Sequence, residues 1–325
     1  MTAQTSPIPD HMRAVVFNRY GPPEVLELVD LPVPVVGAGE VLVRVHAAAA
    51  NPKDAFIRKG RFKMLMSRRF PRQVGSDFAG EVAAVGEGVT HVRPGDRVYG
   101  MIAGWRGGAY AEYVCVRAEE AAPMPEGLPF EQAAAVPLVA LTALQALRDC
   151  GNIQARQHVF INGASGGVGT AAVQIATAYG AQVTGTCSAA NADMVRELGA
   201  ETVIDYTQAD PLAQAQPCDI FFDVFGNYDY ERARPLLRTR GVYVTTVPKV
   251  RNFAARAYSA FLGDTRAYVV VVRPSLLDMD RISRWISGGR LRPVVEQVYT
   301  LDQAQDVHRH IQTKHTRGKV VLRVI

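Results

Sequence analysis

Gly163-Ala164-Ser165-Gly166-Gly167-Val168-Gly169 stands between an apolar run, His158 to Asn162, and an amphipathic run that extends to Tyr179. Read as A-x-G-x-x-G, it has Ala164 at a tight turn, Gly166 where backbone must approach a pyrophosphate, and Gly169 where a helix packs on a strand. A helix starting there offers free N–H groups and partial positive charge to phosphates. Ala164, Ser165, Gly166, Gly167, Val168 and Gly169 are therefore the candidate dinucleotide loop. The same letters spell G-x-S-x-G from Gly163 to Gly167, the nucleophile elbow of a hydrolase. That rival is a serine hydrolase centred on Ser165, with Asp223 and His308 following in the required order. No HGGG-like oxyanion motif precedes the loop, and Gly169 supplies a third position that an elbow does not need. Dinucleotide binding is the favoured reading.

Working outward, strands and helices alternate after the loop. Strands are expected at Gln182 to Thr186, Thr202 to Ile204, Ile220 to Val224, Val242 to Val247 and Tyr268 to Val272, with a helix from Ala192 to Leu198. Such alternation means βαβ units and a parallel sheet covered on both faces, a doubly wound α/β domain. Ahead of the loop, from Arg13 to about Pro129, the text is β-like. Strands are expected at Arg13 to Phe17, Val41 to Ala47, Gly80 to Val85 and Ala109 to Val114, separated by turns such as Pro94-Gly95-Asp96. A helical segment runs from Leu138 to Arg148. The last 50 or so residues read helix, strand, helix, strand. Residues 1–12 read as a disordered tail.

The composition agrees with two domains in 325 residues. Hydrophobic residues make up 48% and charged residues 21%, with 28 Gly and 19 Pro, which excludes a disordered or collagen-like chain. Lys and Arg (36) exceed Asp and Glu (31) by 5, too small an excess to indicate nucleic acid. No apolar stretch is long enough to form an integral membrane segment, and Pro7, Pro9 and Asp10 stand where a signal peptide would be apolar. A cytoplasmic protein is expected. Cys115, Cys150, Cys187 and Cys218 lie too far apart for a CxxC site and read as isolated buried thiols.

The strand after the loop ends at Thr186-Cys187-Ser188, where an NAD site usually has an acid for the ribose hydroxyls. None is present. Ser188 and Asn191, with Tyr206 after the next strand, favour NADPH.

At this point the residues resemble a known family. Asn51-Pro52-Lys53-Asp54, Val74-Gly75-Ser76-Asp77-Phe78-Ala79-Gly80, Pro94 to Val98, Gly108 to Glu112, Leu141-Thr142-Ala143, Val203 to Tyr206 and Gly318-Lys319-Val320-Val321-Leu322 are similar to motifs of the medium-chain dehydrogenase/reductase superfamily. Within it they resemble the zinc-independent quinone oxidoreductases, especially the plant chloroplast homologues that reduce activated carbon–carbon double bonds. The resemblance implies a GroES-like β-rich catalytic domain (13–130 with 275–325) and a Rossmann NADP-binding domain (131–274). It also implies an NADPH-dependent reductase of quinones or α,β-unsaturated carbonyls, or else a non-catalytic NADPH-binding protein of the crystallin-like kind.

By this resemblance Asn51 and Thr142 lie at the nicotinamide end as the catalytic residues. Thr186, Cys187, Phe225, Gly226, Thr246, Val247 and Lys319 join the cofactor contacts, and Asn51, Phe56, Phe62 and Phe253 line the substrate. Blander roles stand beside these, Asn51 as a turn residue before Pro52 and Thr142 as helix packing. Zinc-dependent relatives need a Cys near Asn51, a His-Glu pair after Gly75 and a four-Cys lobe. Here Asn51, Ser76-Asp77 and only Cys115 occupy those places, so no metal is expected. Many relatives carry a Tyr where this chain has Phe62, which leaves solvent as the proton source, and the plant relatives have a basic residue where Ala190 stands. A homodimer through the edge strand Tyr268 to Val272 is expected.

One charged run remains. Arg58, Lys59, Arg61, Lys63, Arg68, Arg69 and Arg72 surround Phe62, Met64, Leu65, Met66 and Phe70 with no acid among them. The alternatives are a cationic lip for substrate or membrane and a solvated loop, of which the loop is favoured.

Overall fold

Alternating apolar residues make short strands in the first part of the chain, while near-continuous apolar runs make buried strands in the second. The computed structural model describes residues 7–61, 63–64, 69–262 and 264–325. The chain divides into two units.

The first unit comprises Met1–Leu138, Pro274–Ser287 and Pro293–Ile325. Its elements are β1 (His11–Phe17), β2 (Leu26–Pro32), β3 (Glu40–Ala49), α1 (Pro52–Arg58), β4 (Arg72–Gln73), β5 (Asp77–Val85), β6 (Arg97–Met101), β7 (Tyr113–Arg117), β8 (Ala121–Pro123) and α2 (Phe130–Ala134). Helix α3 (Pro137–Gln145) carries the chain into the second unit.

In the second unit, Val139–Arg273 with Gly288–Arg292, strands β9 (His158–Asn162), β10 (Gln182–Cys187), β11 (Thr202–Asp205), β12 (Cys218–Asp223), β13 (Leu237–Thr245) and β14 (Arg266–Val269) alternate with helices. Those helices are α4 (Gly167–Ala178), α5 (Ala192–Glu197), α6 (Pro211–Gln214), α7 (Tyr230–Ala233) and α8 (Val250–Leu262). The chain then returns to the first unit with α9 (Leu276–Ser287), β15 (Val295–Thr300), α10 (Ala304–Gln312) and β16 (Lys319–Arg323).

Strands of the first unit form a three-stranded sheet, β2-β1-β4, and a seven-stranded sheet in the order β15-β16-β3-β5-β6-β8, with β7 also paired to β3. Val41, Val43 and Val45 of β3 are wholly buried, the two-residue period that seats one face of a strand on a core. The second unit has one six-stranded parallel sheet in the order β11-β10-β9-β12-β13-β14. All five residues of β9 are buried, as in a strand covered on both faces. Phe160 stacks on Phe221 at 4.6 Å between ring centres. The strand order reverses between β9 and β12, so their carboxyl ends, Asn162 and Asp223, flank the crevice where doubly wound sheets bind ligands.

Several expectations need correction. The tail does not extend to residue 12: β1 starts at His11, pairs with Pro32, and buries Met12. The strand expected over Ala109 to Val114 lies later, at Tyr113–Arg117. Gly107 and Gly108 have positive φ, and Tyr110 packs over Gly75, so the chain bends there and meets β1 through an isolated bridge between Ala111 and Ala14, where Val15 N donates to Tyr110 O and Glu112 N to Arg13 O. Helix α8 was not anticipated. Cys187 and Cys218 are buried, but Cys115 and Cys150 are only half-buried. The run Phe130–Cys150 has the length and composition of a membrane span, yet 78% of its most apolar window is buried inside the protein.

The basic run also divides. Arg58 is fully buried, where its guanidinium donates to Gly21 O, His308 Nδ1 and Gln312 Oε1, so it belongs to the core. Arg72 is buried as well and donates to Trp105 O. Lys59, Arg61, Lys63 and Arg69 are exposed. Phe62, Leu65, Met66 and Arg68 lie outside the described residues.

Candidate active site

The glycine loop turns between β9 and α4. Gly163 has φ +86°, a left-handed conformation that glycine adopts without strain. A Cβ on Gly169 would lie 2.0 Å from Gly163 O, so the helix can pack on the turn only with glycine there. Gly166 is different. A Cβ there would meet nothing nearer than Gly163 O at 3.8 Å, so the fold itself leaves space in front of it. Gly166 is the N-cap of α4 and no side chain caps the helix, whose first N–H groups have no partner within the helix. Open space before uncapped N–H groups and a positive helix end fits a pyrophosphate.

Thr186 supports this loop from β10 with its hydroxyl. It is wholly buried, donates to Asn162 Oδ1 at 2.9 Å and accepts from Gly163 N at 3.0 Å. Asn162 in turn donates to Asp223 Oδ1 at 2.7 Å and to Asn227 Oδ1 at 2.6 Å. Asp223 also accepts from Gly226 N, Tyr228 N and the Tyr243 hydroxyl. Burial pushes this carboxyl above its ordinary range. The network ties the glycine turn to the loop at Phe225 and Gly226. Phe225 is about half exposed, at 51%, and a Cβ on Gly226 would strike Val247. Thr246 donates to Val224 O, and Lys249 to Gly226 O.

At the end of β10 the Cys187 thiol is buried, which raises its pKa to about 11. Asn191 donates to Ser188 Oγ at 3.3 Å, and Tyr206 N donates to Cys187 O. Tyr206 itself is exposed. Beside them stands Asp205, opposite Cys187 in the β10–β11 register. Its carboxylate accepts from Thr207 N and Oγ1, which hold its pKa below the usual value. A carboxylate thus adjoins Ser188 from the neighbouring strand, although none occupies the end of β10. The motif Val203 to Tyr206 contained that acid, but only strand pairing reveals where it lies.

The first unit holds a second cluster. Asn51 caps α1 and is buried; its backbone N–H donates to Asp54 Oδ2, and its amide Nδ2 donates to Ala49 O at 3.2 Å and Asp77 Oδ2 at 2.9 Å. Ser76 Oγ donates to Asp54 Oδ1 at 2.8 Å, and Leu138 N to Asp77 Oδ1. Lys319, from β16, places its ammonium against Ala50 O, Asn51 Oδ1 and Asp77 Oδ2. Asp54 is wholly buried, and desolvation raises its pKa to about 6 against the pull of Lys53. Phe56, half-buried on α1, lies under the Arg61 guanidinium at 4.8 Å. In the other unit Thr142 is buried on α3, and Phe253 is half-exposed on α8. Lys319, sought among the cofactor contacts, thus spends its donors on protein oxygens.

The hydrolase reading fails on these contacts. The Asp223 carboxylate is taken up by Asn162, Gly226, Tyr228 and Tyr243. His308 accepts from Arg58 Nε, and burial followed by the nearby Arg58 charge lowers its pKa to about 3. Asp223, the acid of that reading, has no hydrogen bond to Ser165.

Two families match the chain: the alcohol dehydrogenase GroES-like domain over residues 37–126 and the zinc-binding dehydrogenase over 198–322. The mitochondrial NAD(P)H oxidoreductase RTN4IP1 of Danio rerio is 32% identical, over 97% of this chain and 92% of that protein. The quinone oxidoreductase of Coxiella burnetii superposes with a TM-score of 0.90 at 33% identity, covering 97% of this chain and all of that one. The Escherichia coli quinone oxidoreductase, solved as a complex with NADPH, gives 0.82 at 29% identity over 96% of this chain and all of its own.

The zinc that one of these families carries does not fit the residues around Asn51. Among the described residues no group of three His, Cys, Asp or Glu side chains could hold a metal ion. Asn51 Oδ1 and Asp77 Oδ2 already face an ammonium, which would repel a second cation.

Proposed function

Since the chain belongs to the medium-chain dehydrogenase/reductase superfamily, as an NAD(P)H oxidoreductase of its quinone and enone group, we propose that it uses NADPH, without zinc, to reduce a quinone or an α,β-unsaturated carbonyl. The observation that carries the cofactor half is the uncapped start of α4 with open space before Gly166. Ser188, Asn191 and Tyr206, polar and uncharged, support NADPH over NADH against the opposing charge of the nearby Asp205, as does the NADPH-complexed Escherichia coli relative.

Bound there, NADPH supplies a hydride from its nicotinamide ring. The chain's residues bind and orient. The N–H groups of 167 to 169 take the pyrophosphate, the Thr186–Asn162–Asp223 network fixes the turn that presents them, and Asn51 and Thr142 serve the nicotinamide end. Acceptors already made electrophilic by conjugation suit a site whose fixed cation, Lys319, is a saturated hydrogen-bond donor rather than a Lewis acid. With Phe62 in place of a phenolic acid, the proton comes from solvent. We also assign the protein to the cytoplasm as a homodimer paired through β14, which lies at one edge of the parallel sheet.

A panel of small quinones and enones, run with NADPH and then NADH, tests this reading. Oxidation of NADPH by at least one acceptor is expected, with metal chelators without effect. Absence of turnover with every acceptor, despite quenched NADPH fluorescence on binding, would leave a non-catalytic binder; loss of activity on chelation would refute zinc independence.

A further inference from the structure

The glycine turn and the end of β10 are joined within the second unit. Ala164 N donates to Thr186 O at 2.8 Å, and Gly163 N to Thr186 Oγ1 at 3.0 Å. In a doubly wound domain the adenosine ribose lies at the end of this strand, where an acid receives its hydroxyls and disfavours a 2′-phosphate. Here the strand ends without an acid, and the neighbouring strand brings one. Asp205, the last residue of β11, is the register partner of Cys187, and Tyr206 N donates to Cys187 O at 3.2 Å.

Its carboxylate is fixed and charged. Thr207 N and Oγ1 both donate to Asp205 Oδ1, at 2.9 and 2.8 Å, the bond two residues on that makes an Asx turn. These two bonds are the main causes that hold its pKa below the usual value; burial opposes them, and the Ala189 N–H and the Gln208 side chain add to them. The carboxylate therefore carries its charge beside Ala189, the residue after Ser188. That charge reaches the end of β10. Burial is the largest cause of the raised Cys187 pKa, and Asp205 is the next, ahead of the opposing Arg196. Arg196 itself is paired with Asp193 at 2.8 Å.

We propose that Asp205 is the specificity-determining residue for the cofactor: its carboxylate stands against the 2′-phosphate of NADPH, so that the domain takes NADH as well. This rests on the proposed function, in which the glycine loop holds a nicotinamide dinucleotide. Ser188, Asn191 and Tyr206 offer polar groups to the phosphate, and Asp205 holds down the preference they give. NADH has a hydroxyl at that position, which brings no charge for the carboxylate to repel.

The test titrates the full-length protein with NADPH and with NADH, read by cofactor fluorescence. Asp205→Asn removes the charge and keeps an oxygen for the two Thr207 bonds. At low salt its Kd for NADPH is expected to be about tenfold below that of the wild type, the scale of one exposed contact between a carboxylate and a doubly charged phosphate. In about 1 M salt, where the screening length is about 3 Å, most of that gain should vanish. Kd for NADH should not change. Asp205→Ser, whose hydroxyl can still accept from Thr207 N, covers the case in which the asparagine variant does not fold, and it should show the same selective gain. An unchanged Kd for NADPH in a folded neutral variant, a parallel change for both cofactors, or a wild type that binds NADPH and not NADH overturns the proposal. A wild type that binds neither cofactor is a different failure: it overturns the proposed function, and the role of Asp205 with it.

Discussion

Asn162 donates its side-chain amide to the buried Asp223 carboxylate at 2.7 Å, joining the ends of the two strands between which the sheet order reverses. Asp223 accepts three further hydrogen bonds, from Gly226 N, Tyr228 N and Tyr243 OH. An asparagine there would have one accepting oxygen, and its NH2 would face donors. Asp223→Asn is therefore expected to destabilise the protein by about 3 kcal/mol, from about two orphaned buried donors. It should also weaken NADPH binding, because the glycine turn and the Phe225–Gly226 loop share that carboxylate. Thermal unfolding and fluorescence titration read the two effects. A variant with reduced Tm and unchanged Kd would make the network structural only.

Gly166 and Gly169 are expected to fail differently. Gly169→Ala forces a methyl against Gly163 O, so it should lower Tm and NADPH affinity together. Gly166→Ala meets no protein atom within 3.8 Å and should fold with nearly the wild-type Tm. The added methyl fills the space for pyrophosphate, and Kd for NADPH should rise at least tenfold, about 1.4 kcal/mol. If Gly166→Ala bound NADPH as tightly as the wild type, the cradle would be misplaced.

How far these sites could be read in advance follows from how local their causes are. Gly163 to Gly169 announced a strand, a turn and a helix because Gly163, with its positive φ, and Gly169, packed on Gly163 O, answer constraints within a few residues. The alternation after it likewise gave the parallel sheet. The Lys319–Asn51–Asp77 cluster was hidden, since its members lie 26 to 268 positions apart and no local pattern links them. Arg58 shows the same limit. It sits in a charged run that reads as surface, yet its partners Gly21, His308 and Gln312 come from distant segments and bury it. Helix α8 escaped notice because Val250 and Phe253 remain exposed, so its apolar residues do not mark a buried face.

Ala190 offers a test of cofactor preference that leaves the fold alone. It is exposed, next to Ser188 and Asn191, and Asp205 adjoins the segment with a carboxylate that would oppose a 2′-phosphate. Ala190→Arg adds a guanidinium able to pair with that phosphate. The ratio of NADPH to NADH affinity is expected to rise about tenfold, through tighter NADPH binding and no change for NADH. An equal effect on both cofactors would place the ribose elsewhere.

Asp54 should make stability depend on pH in a direction opposite to that of a surface carboxylate. Its folded pKa is raised to about 6 from 3.8, with burial the largest cause; Lys53, Ser76 and the Asn51 N–H oppose the rise, and Asp77 adds to it. The folded protein therefore binds a proton that the unfolded chain has already released between those values. Below about pH 4 both states are protonated and the group costs nothing. As pH climbs to 6 the folded state must also ionise a buried carboxyl, and stability falls by about 3 kcal/mol from this group. Asp54→Asn removes that titration while an amide can still meet Ser76 Oγ and accept from Asn51 N. Urea unfolding of both proteins at pH 4, 5, 6 and 7 should show the variant gaining on the wild type as pH rises, with the change complete by about pH 7. A difference that stays constant across that range would mean that Asp54 ionises in the folded protein as it does in the unfolded chain.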